Sequence, residues 1–301
     1  MNVGICALAK YENEYINDWV KYHIGLGFDH IWLFDNNEQD YPYVGRRIDE
    51  DLKDKVTIIN YRMHQNLDTT PNVPCYNNFI ECWSEGLDWC AFIDIDEFIT
   101  MDNYTNVKDW LANAPEECED IVLNWRLYGD DGIVEGDESV PVIDRFKTDI
   151  SRNLKDNNNT SLPFIYKSII RCNHRKVCKS PSTFFKPSES EGVDVDYPFD
   201  IYDCTFTKIG LSNSWVICKT NEDGSFLCDF DYTYSLGVYL RHYITKSLSE
   251  FLKYKAKRAH KMDWFLKNEI DYYFIFNERT PEKEAYIRKY MEDNGIESFD
   301  F

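Results

Sequence analysis

The chain has 301 residues and a formal net charge of −20, because 33 Lys and Arg stand against 53 Asp and Glu. Such acidity argues against nucleic acid as a partner, since phosphate backbones are bound by basic stripes, and it disfavours broad adhesion to anionic lipid. The length allows one large or two small domains with a sizeable core.

The start of the chain and its cysteines favour a cytoplasmic protein. Residues 1–8 have neither the basic region nor the long apolar stretch of a signal peptide, and no run approaches the ~20 apolar residues that span a bilayer. Cys172 and Cys178 are the tightest pair of the ten cysteines, which is a weak zinc signal, whereas Cys6 and Cys90 lie in apolar runs typical of buried thiols. We expect a reducing cytoplasm, with peripheral contact at the inner face of the membrane left open.

Strands and helices alternate in the first part of the chain. In chain order, we predict a strand at residues 3–8, a helix at 14–26, strands at 30–34 and 56–61, a helix at 74–86, a strand at 89–93, a helix at 107–114 and a strand at 121–127. The apolar residues of the first helix recur at helical spacing, and Gly27 follows it as a C-terminal stop. This alternation is typical of βαβ units and a mainly parallel sheet, so we predict an α/β fold.

After about residue 135 the pattern weakens. We predict a polar loop at residues 155–161 and a mobile or active-site loop at 181–198, where Ser, Pro and acidic residues accumulate. Order returns near Tyr239, and a capping box at residues 247–250 opens a basic amphipathic helix to about residue 260. A solvated helix face is the favoured interpretation of its basic residues, and transient membrane contact is the alternative. These residues are Lys253, Lys255, Lys257, Arg258 and Lys261.

Asp94 and Asp96 are the most informative residues of the chain. They follow the apolar run of residues 89–93, which is typical of a buried strand, and ligands of α/β sheets bind at the carboxyl ends of strands. Two carboxylates in this position can together hold Mn²⁺ or Mg²⁺, which in turn neutralises a diphosphate. An acidic turn after a strand is the structural alternative.

Four blocks of the chain, taken in order, resemble the family 92-like glycosyltransferases and their bacterial family 2-like relatives. The blocks are residues 9–14 with Trp19, Tyr22, His23, 26–30 and 35–37; residues 92–98; residues 128–132; and residues 242–247 with Glu250, Phe251 and Lys253. Four blocks in one order are more specific than any one of them, although residues 146–240 match poorly. The resemblance implies a GT-A fold, a nucleotide-sugar donor and a divalent metal.

The resemblance implies that Asp94 and Asp96 hold Mn²⁺ or Mg²⁺ against the donor diphosphate. His242 precedes a polar turn and is either a further metal ligand, since imidazole binds transition metals, or a structural residue. Glu97 is expected to reach the metal or to accept a hydrogen bond from a backbone amide, and the structural role is favoured.

Donor binding is expected in the loops after the first two strands and beside the capping box. The predicted residues are Ala9, Lys10, Glu12, Asn13, Asp35 and Lys246. Asp35 is a candidate for contact with uracil or ribose, because acids in that position do this in nucleotide-binding sheets, and a turn cap is the alternative. Lys246 could neutralise the diphosphate together with the amino terminus of the following helix, and a solvated lysine is the alternative.

Asp130 and Asp131 lie between Gly129 and Gly132 after another predicted strand. An inverting transferase needs a general base to take the proton of the acceptor hydroxyl, and we expect Asp131, rather than Asp130, to be that base. A tight turn is the structural alternative, since a Gly-Asp-Asp-Gly sequence suits one.

We therefore predict a metal-dependent hexosyltransferase of polysaccharide biosynthesis. It would move a sugar from a nucleotide-sugar, expected to be a UDP-sugar, to a glycan or lipid-linked saccharide acceptor, with inversion favoured. Residues 1–135 would bind nucleotide-sugar and metal, and residues 136–301 would shape the acceptor site and add C-terminal helices within the same GT-A domain.

Two other classes of protein are kept as alternatives. One is a metal-dependent phosphoryl-transfer or hydrolytic enzyme, which the lack of a Walker lysine loop disfavours. The other is an inactive carbohydrate-binding module, which the intact Asp94 and Asp96 disfavour.

Overall fold

The computed structural model describes most of the chain and divides it into two compact units. Unit 1 comprises Met1–Trp125 and Ser161–Arg241, and unit 2 comprises Arg126–Thr160 and His242–Phe301. The division predicted at residue 135 is one of function, between binding of nucleotide-sugar and metal and shaping of the acceptor site. It stays a prediction. The described residues are 1–62, 71–158, 165–173, 176–180, 183–186, 197–198, 200–213, 216–220, 226–227, 229–256 and 263–296.

Strands and helices alternate early in the chain, and short strands dominate its middle. The strands are β1 (Val3–Ala9), β2 (His30–Asp35), β3 (Val56–Asn60), β4 (Trp89–Phe92), β5 (Glu97–Met101), β6 (Asp120–Leu127), β7 (Tyr166–Arg171), β8 (Val177–Ser180), β9 (Thr183–Lys186), β10 (Tyr197–Pro198), β11 (Ile201–Tyr202), β12 (Lys208–Asn213), β13 (Val216–Thr220), β14 (Phe226–Leu227) and β15 (Val238–His242). The helices are α1 (Ile16–Gly25), α2 (Asn72–Cys82), α3 (Val107–Leu111), α4 (Val142–Arg145), α5 (Ser151–Asn158), α6 (Phe230–Ser235), α7 (Leu248–Glu250), α8 (Asp263–Phe276) and α9 (Pro281–Asp293). Short 3₁₀ turns lie at Val44–Arg46 and Glu50–Lys55.

The large sheet has the strand order β14-β13-β12-β11-β6-β7-β4-β1-β2-β3. Strands β3, β2, β1 and β4 are parallel neighbours, and β7 runs antiparallel between β4 and β6. β15 pairs with β5 and β6 outside this order, and β8, β9 and β10 form a separate small sheet. The predicted α/β class, with a mixed, mainly parallel sheet flanked by helices as expected of a GT-A fold, is confirmed.

The central strands β1 and β4 are apolar because both of their faces are buried. β4 is buried along its whole length and β1 along almost all of it, as expected of central parallel strands covered by helices. Cys6 and Cys90 are fully buried in a core that also contains Phe79 and Phe92, so their interpretation as buried thiols is confirmed. Gly27 follows α1 with φ +102°, which confirms it as the C-terminal stop.

The register aligns the carboxyl ends of the first three strands. Ala9 of β1 is paired with Asp35 of β2, and Asp35 is paired with Asn60 of β3. On its other side, β1 pairs Cys6 with Phe92, the last residue of β4. The loops after β1, β2 and β3 and the acidic turn after β4 therefore leave the sheet at the same edge, where α/β sheets bind ligands.

Two predicted loops contain regular structure. The loop predicted at residues 155–161 is wrong over its first part, because α5 continues to Asn158. Asp149 accepts a hydrogen bond from the Ser151 amide at 2.9 Å, which satisfies the amide of the first helical residue, and Leu154 is buried. This bond and the apolar anchor thus outweigh the polar composition, and residues 159–161 lie outside the described residues. Within the predicted loop at 181–198 the structure has β9 and β10, and the rest lies outside the described residues.

The predicted capping box is confirmed. The Ser247 hydroxyl accepts from the Glu250 amide, and the Glu250 carboxylate accepts from the Ser247 amide, each at 3.3 Å. α7 continues as a π-helical turn at Phe251–Lys255. The predicted helix therefore begins where expected, and its last residues, 257–260, lie outside the described residues.

The basic residues of this helix are only partly described. Lys253 forms an ion pair with Glu138 at 2.9 Å, and Lys255 donates to the Ile244 carbonyl oxygen at 2.5 Å. The predicted solvated or lipid-facing residues Lys257, Arg258 and Lys261 lie outside the described residues. None of the described helices has the length and apolar character needed to cross a membrane.

Candidate active site

The loops after β2 and β3 are joined through the carboxylate of Asp35. Asp35 is fully buried at the end of β2, and its carboxylate accepts five hydrogen bonds. Two come from Asn37, one comes from the Val44 amide, and two come from Nε and Nη2 of Arg62 at 3.0 and 2.7 Å. Arg62 follows β3, so this forked ion pair holds the two loops together.

Asn37 connects the same network to the loop after β1. Its Nδ2 donates to Asn13 Oδ1 at 3.1 Å, and its Oδ1 accepts from the Tyr11 amide at 2.7 Å. Tyr11 has φ +58°, a left-handed conformation that is strained for a residue with a Cβ. The network therefore holds a strained loop at the ligand-binding edge of the sheet.

The predicted donor-binding residues of unit 1 lie at this edge. The Ala9 carbonyl oxygen accepts from the Asn36 amide at 2.9 Å, and Lys10 lies 3.9 Å from Glu38. Glu12 is buried, and its carbonyl oxygen accepts from the Tyr15 amide at 3.0 Å. The structure thus brings Ala9, Lys10, Glu12, Asn13 and Asp35 together, and their contact with a donor stays a prediction.

Asp94 and Asp96 lie in the turn between β4 and β5. The Asp94 amide donates to Glu97 Oε2 at 2.8 Å, and the Glu97 amide donates to the Asp94 carbonyl oxygen at 3.1 Å. Glu97 thus takes the backbone-binding role that the sequence favoured. Glu97 is fully buried and Asp96 is 7% exposed, whereas the Asp94 side chain is 32% exposed. Asp94 therefore presents carboxylate surface to solvent.

A buried lysine contacts this acidic turn. Lys167 of β7 donates from Nζ to Asp94 Oδ2 at 2.7 Å and lies 3.8 Å from Glu97 Oε1, with its side chain only 5% exposed. Burial alone would lower the pKa of Lys167, but attraction to Asp94 and Glu97 outweighs burial and raises this pKa, so the amine stays charged. Burial raises the pKa of Glu97 well above its usual range; Lys167 opposes this, and the Asp94 and Asp96 charges add to it.

One face of α1 holds the strand that follows the acidic turn. Trp19 Nε1 donates to the Glu97 carbonyl oxygen at 2.8 Å, and the Tyr22 hydroxyl donates to the Ile99 carbonyl oxygen at 2.7 Å. His23 Nε2 accepts from the Ile99 amide at 3.3 Å, while Nδ1 donates to the Trp19 carbonyl oxygen at 2.8 Å. Burial lowers the pKa of His23 to about 3, so the neutral ring makes both bonds. These residues of the first sequence block therefore fix the position of β5.

The acidic turn has donor atoms that suit a hard divalent cation. Such cations take oxygen ligands, and Mg²⁺ is commonly held by one or two carboxylates together with substrate phosphates. Asp94 Oδ2 is bound by Lys167, and Asp94 Oδ1 lies 3.4 Å from Asn72 Nδ2. Across the described part of the chain, no group of three or more His, Cys, Asp or Glu side chains is placed to hold a metal. The residues therefore fit a cation whose remaining ligands come from a diphosphate.

In unit 2, Asp130 is buried and engaged on both carboxylate oxygens. Lys283 Nζ lies 2.5 Å from Oδ2, the Tyr273 hydroxyl donates to the same oxygen, and Oδ1 accepts from the Gly132 amide at 2.8 Å. The Asp130 amide donates to Asn277 Oδ1 at 2.8 Å. Asp130 therefore ties its turn to α8, α9 and the residues between them.

Asp131 is exposed, and it has φ +51°. Its carboxylate accepts from the backbone amides of Lys147 and Thr148 at 2.5 and 3.2 Å. The tight turn considered as the alternative is therefore present, and the carboxylate is also open to solvent. The role of Asp131 as general base stays a prediction.

His242 and Lys246 also belong to unit 2. His242 ends β15, is buried, and accepts from the Tyr128 amide through its carbonyl oxygen at 3.0 Å. Lys246 has φ +58° directly before the capping box and is 7% exposed, which does not fit a solvated lysine. Metal binding by His242 stays a prediction, and so does diphosphate binding by Lys246.

Three cations that bind these acids were not predicted from sequence: Arg62, Lys167 and Lys283. Asp35 ends β2 and Arg62 lies two residues after β3, so opposite charges at neighbouring strand ends could have indicated that pair. Lys167 lies within a run of strand-forming residues, and a lysine is unusual on a central strand. The sequence around Lys283 carries no such signal, because it reads as an ordinary polar helix.

Comparison with known proteins agrees with the first three sequence blocks, which lie between residues 9 and 132. The model of glycosyltransferase family 92 matches residues 2–202. A glycosyltransferase family 92 protein of Ricinus communis is 26% identical over 136 residues, which is 43% of this chain and 23% of that protein. A second one, from Oryza sativa subsp. japonica, is 26% identical over 113 residues, which is 36% of this chain and 18% of that protein.

The class that these matches define is a glycosyltransferase. The chain belongs to glycosyltransferase family 92, so the predicted family is confirmed, while the fourth sequence block, at residues 242–253, lies outside the matched residues. The matches cover less than a quarter of the length of these two relatives. The crystal structure of TarS from S. aureus aligns with 57% of this chain and 28% of its own, at 14% identity and a TM-score of 0.32. That similarity is too low to bear on function.

Proposed function

We propose that the chain transfers a hexose from a UDP-sugar to a saccharide acceptor with Mn²⁺ or Mg²⁺ as cofactor. The observation that most supports this proposal is the partly exposed Asp94 carboxylate beside Asp96, in a turn that leaves the sheet at the same edge as the loops after β1, β2 and β3. Membership of glycosyltransferase family 92 supports the reaction class and the need for a donor and an acceptor. The donor, the metal and the acceptor are the parts that this proposal adds.

In this proposal Asp94 and Asp96 hold the cation, which when bound neutralises the leaving diphosphate. The turn that carries them is kept in one conformation by Glu97, through the Asp94 amide, and by the contact of Lys167 with Asp94 Oδ2. Trp19 and His23 hold β5, the strand that follows. Binding groups fixed in this way need little reorganisation when the donor binds.

The nucleoside of the donor would bind at the loops after β1 and β2. Asp35 would act through the loops that it joins, because its carboxylate oxygens already accept five hydrogen bonds inside the protein. Direct contacts would come from the strained loop that begins at Ala9, with Lys10, Glu12 and Asn13 as the candidate residues. A nucleoside at the carboxyl edge of a parallel sheet is the usual arrangement for this class of fold.

The acceptor would be a glycan or a lipid-linked saccharide, with Asp131 as the general base of an inverting reaction. The exposure of the Asp131 carboxylate supports this role, because a base must reach the acceptor hydroxyl. His242 as a metal ligand and Lys246 as a diphosphate contact are part of the same proposal. The same proposal includes a role in polysaccharide biosynthesis and a cytoplasmic location, with peripheral contact at the inner face of the membrane. Support for the location comes from Cys6 and Cys90, which are buried as free thiols in the core.

A thermal-shift comparison with UDP, GDP and CMP, each with and without Mn²⁺, tests the proposal. A ligand at 100 times its Kd adds about 2.7 kcal/mol to the free energy of unfolding, so a matching nucleotide gives a clear shift in Tm. We expect stabilisation by UDP that requires Mn²⁺. Stabilisation by GDP or CMP but not UDP would refute the donor assignment. Stabilisation by Mn²⁺ with inorganic phosphate but no nucleotide would favour the phosphoryl-transfer alternative.

A further inference from the structure

We propose that Lys167 is a positioning residue that makes cation binding by Asp94 and Asp96 depend on the donor diphosphate. This inference rests on the proposed function. Its basis is the contact of Lys167 Nζ with Asp94 Oδ2 at 2.7 Å, from a side chain that is only 5% exposed. A resident positive charge thus lies against the carboxylate that would bind the metal.

The fold gives this ammonium group little freedom to move away. Lys167 lies on β7, the antiparallel neighbour of β4, two residues before Ile169, which pairs with Ala91. On its other side Lys167 is paired with Leu123 of β6. The Lys167 side chain is only 5% exposed, so moving Nζ away from Asp94 would leave a buried ammonium group without its carboxylate partner, and the charge therefore stays beside the acidic turn.

The charges at the turn explain why one cation is needed there. Asp94, Asp96 and Glu97 lie within four successive positions, and Glu97 is fully buried. Burying carboxylates without a counter-ion is costly, and Lys167 supplies that counter-ion to Asp94 and Glu97. The positive charge of Lys167 also repels a second cation at the turn. Repulsion between two cations a few ångströms apart is stronger beside a buried side chain than in bulk water.

The geometry leaves room for a metal once further ligands are present. Lys167 binds one oxygen of Asp94, and among the described residues the other oxygen has only a long contact of 3.4 Å with Asn72. A diphosphate adds negative charge that attracts both Lys167 and the metal, and it brings oxygen ligands that the protein lacks. Metal and diphosphate therefore bind with positive coupling, typically by roughly 5–150-fold in affinity, and each tightens the binding of the other equally.

The experiment measures the Kd of Mn²⁺ from the electron paramagnetic resonance signal of free Mn²⁺, without nucleotide and with saturating UDP. It compares the unaltered protein with Lys167→Met and with Lys167→Gln, which keeps a hydrogen-bond donor to Asp94 but removes the charge. Lys167→Arg keeps the charge. Lys176→Met is the matched control, because Lys176 is also buried in unit 1 and paired with a carboxylate, Glu119, at 2.6 Å.

We expect the unaltered protein to bind Mn²⁺ weakly alone and roughly 5–150-fold more tightly with UDP. Lys167→Met and Lys167→Gln should bind Mn²⁺ alone about 10-fold more tightly, with a smaller effect of UDP, since a repulsive charge has been removed. Lys167→Arg and Lys176→Met should keep the coupling of the unaltered protein. A merely structural ion pair would change the thermal stability in Lys167→Gln and leave the ratio of the two Kd values unchanged.

The two possible failures give different results. If Mn²⁺ binds the unaltered protein tightly with UDP, and Lys167→Gln shows the same two Kd values, the inference about Lys167 is wrong while the proposed function stands. Weaker binding of Mn²⁺ alone by Lys167→Gln would overturn the inference as well. If Mn²⁺ does not bind the unaltered protein with or without UDP, the metal-dependent function itself fails.

Discussion

Asp94 and Asp130 each contact a buried lysine, and the two aspartates differ in how much of the side chain is exposed. In unit 1, Asp94 contacts Lys167 at 2.7 Å with its side chain 32% exposed. In unit 2, Asp130 contacts Lys283 at 2.5 Å with its side chain 5% exposed. The same ion pair thus occurs in two settings. We interpret the first as a binding group held ready for a ligand, and the second as a structural tie between a turn and two helices.

Removing the second acid of the unit 1 turn is the strongest test of this difference. Asp96→Ala should abolish sugar transfer and the Mn²⁺-dependent stabilisation by UDP while the protein stays folded, because the cation loses a carboxylate ligand. Transfer assays and thermal shift measure the two effects. Asp102→Ala, which changes an exposed aspartate after β5, is the control and should behave as the unaltered protein. Full activity of Asp96→Ala at saturating donor would remove Asp96 from the metal site.

The next largest effect on activity is expected at Asp131, the exposed neighbour of Asp130. Asp131→Asn should lower kcat by about 10²–10⁴-fold with little change in UDP binding, as loss of a general base does. Asn can still accept hydrogen bonds from the Lys147 and Thr148 amides, so the turn should persist. The control is Asp137→Asn, because Asp137 is another exposed aspartate of unit 2 that caps a turn, at Ser139.

An unchanged kcat in Asp131→Asn would contradict the assignment of the base. The base would then lie elsewhere, with the acids of residues 189–200 as the next candidates, or the reaction would retain configuration and need no base of this kind. Asp130→Asn is a poor control, because it would leave Lys283 without its carboxylate partner.

Breaking the buried pair of unit 2 should change stability rather than chemistry. Lys283→Met leaves Asp130 buried without its cation, which should lower the free energy of unfolding by about 3–5 kcal/mol. Denaturant titration measures this loss, and the Kd of UDP with Mn²⁺ should stay near that of the unaltered protein. Lys289→Met, which removes an exposed pair with Asp293, should change stability little. If the folded Lys283→Met protein binds UDP more weakly than the unaltered protein, the Asp130–Lys283 pair is not a purely structural tie.

The smallest effect concerns how stability depends on pH through His23, which holds β5, the strand after the unit 1 acids. Burial lowers the pKa of His23 to about 3, whereas an unfolded histidine has a pKa of about 6.5. Between these values the unfolded state binds more protons, so His23 makes the free energy of unfolding fall as pH drops. Its contribution is a loss of about 2 kcal/mol at pH 5 relative to pH 7. Denaturant titrations at both pH values should show a smaller loss in His23→Gln.

Asp120 provides a control of opposite sign for the pH experiment. Burial raises the pKa of Asp120 to about 7, above the value of about 3.9 in an unfolded chain. The folded state therefore binds more protons than the unfolded state between these values, and Asp120 makes stability fall as pH rises. Asp120→Asn should accordingly increase the loss of stability at pH 5. The same change in both variants would contradict the assignment to His23.

The parallel strands β1 to β4 and strand β6 could be predicted from sequence, and the antiparallel strand β7 could not. β1, β2, β3 and β4 are short apolar runs between helical patterns, so local composition indicates them. β7 carries Lys167 and Ser168 and becomes a strand only by pairing with β4 and β6, far away in the chain. Strand formation that depends on such partners has no local signal.

The candidate site shows the same limit. Asp94 and Asp96 could be predicted because they follow a buried strand at the edge where ligands bind. The contacts that fix them could not, since Lys167 is 73 residues from Asp94 and Trp19 is 78 residues from Glu97. Trp19, Tyr22 and His23 were noted as part of a family block, and only the structure gives their physical role, which is to hold β5.

The most direct test of the central claim is release of UDP from UDP-sugars by the unaltered protein. A panel of UDP-, GDP- and CMP-sugars is incubated with saccharide acceptors, in Mn²⁺ or in excess EDTA, and the free nucleotide is measured. The account predicts release of UDP from at least one UDP-sugar, dependent on acceptor and lost in EDTA, because Asp94 and Asp96 need the cation to neutralise the leaving diphosphate. Undiminished release in EDTA, or release from GDP- or CMP-sugars alone, would contradict it.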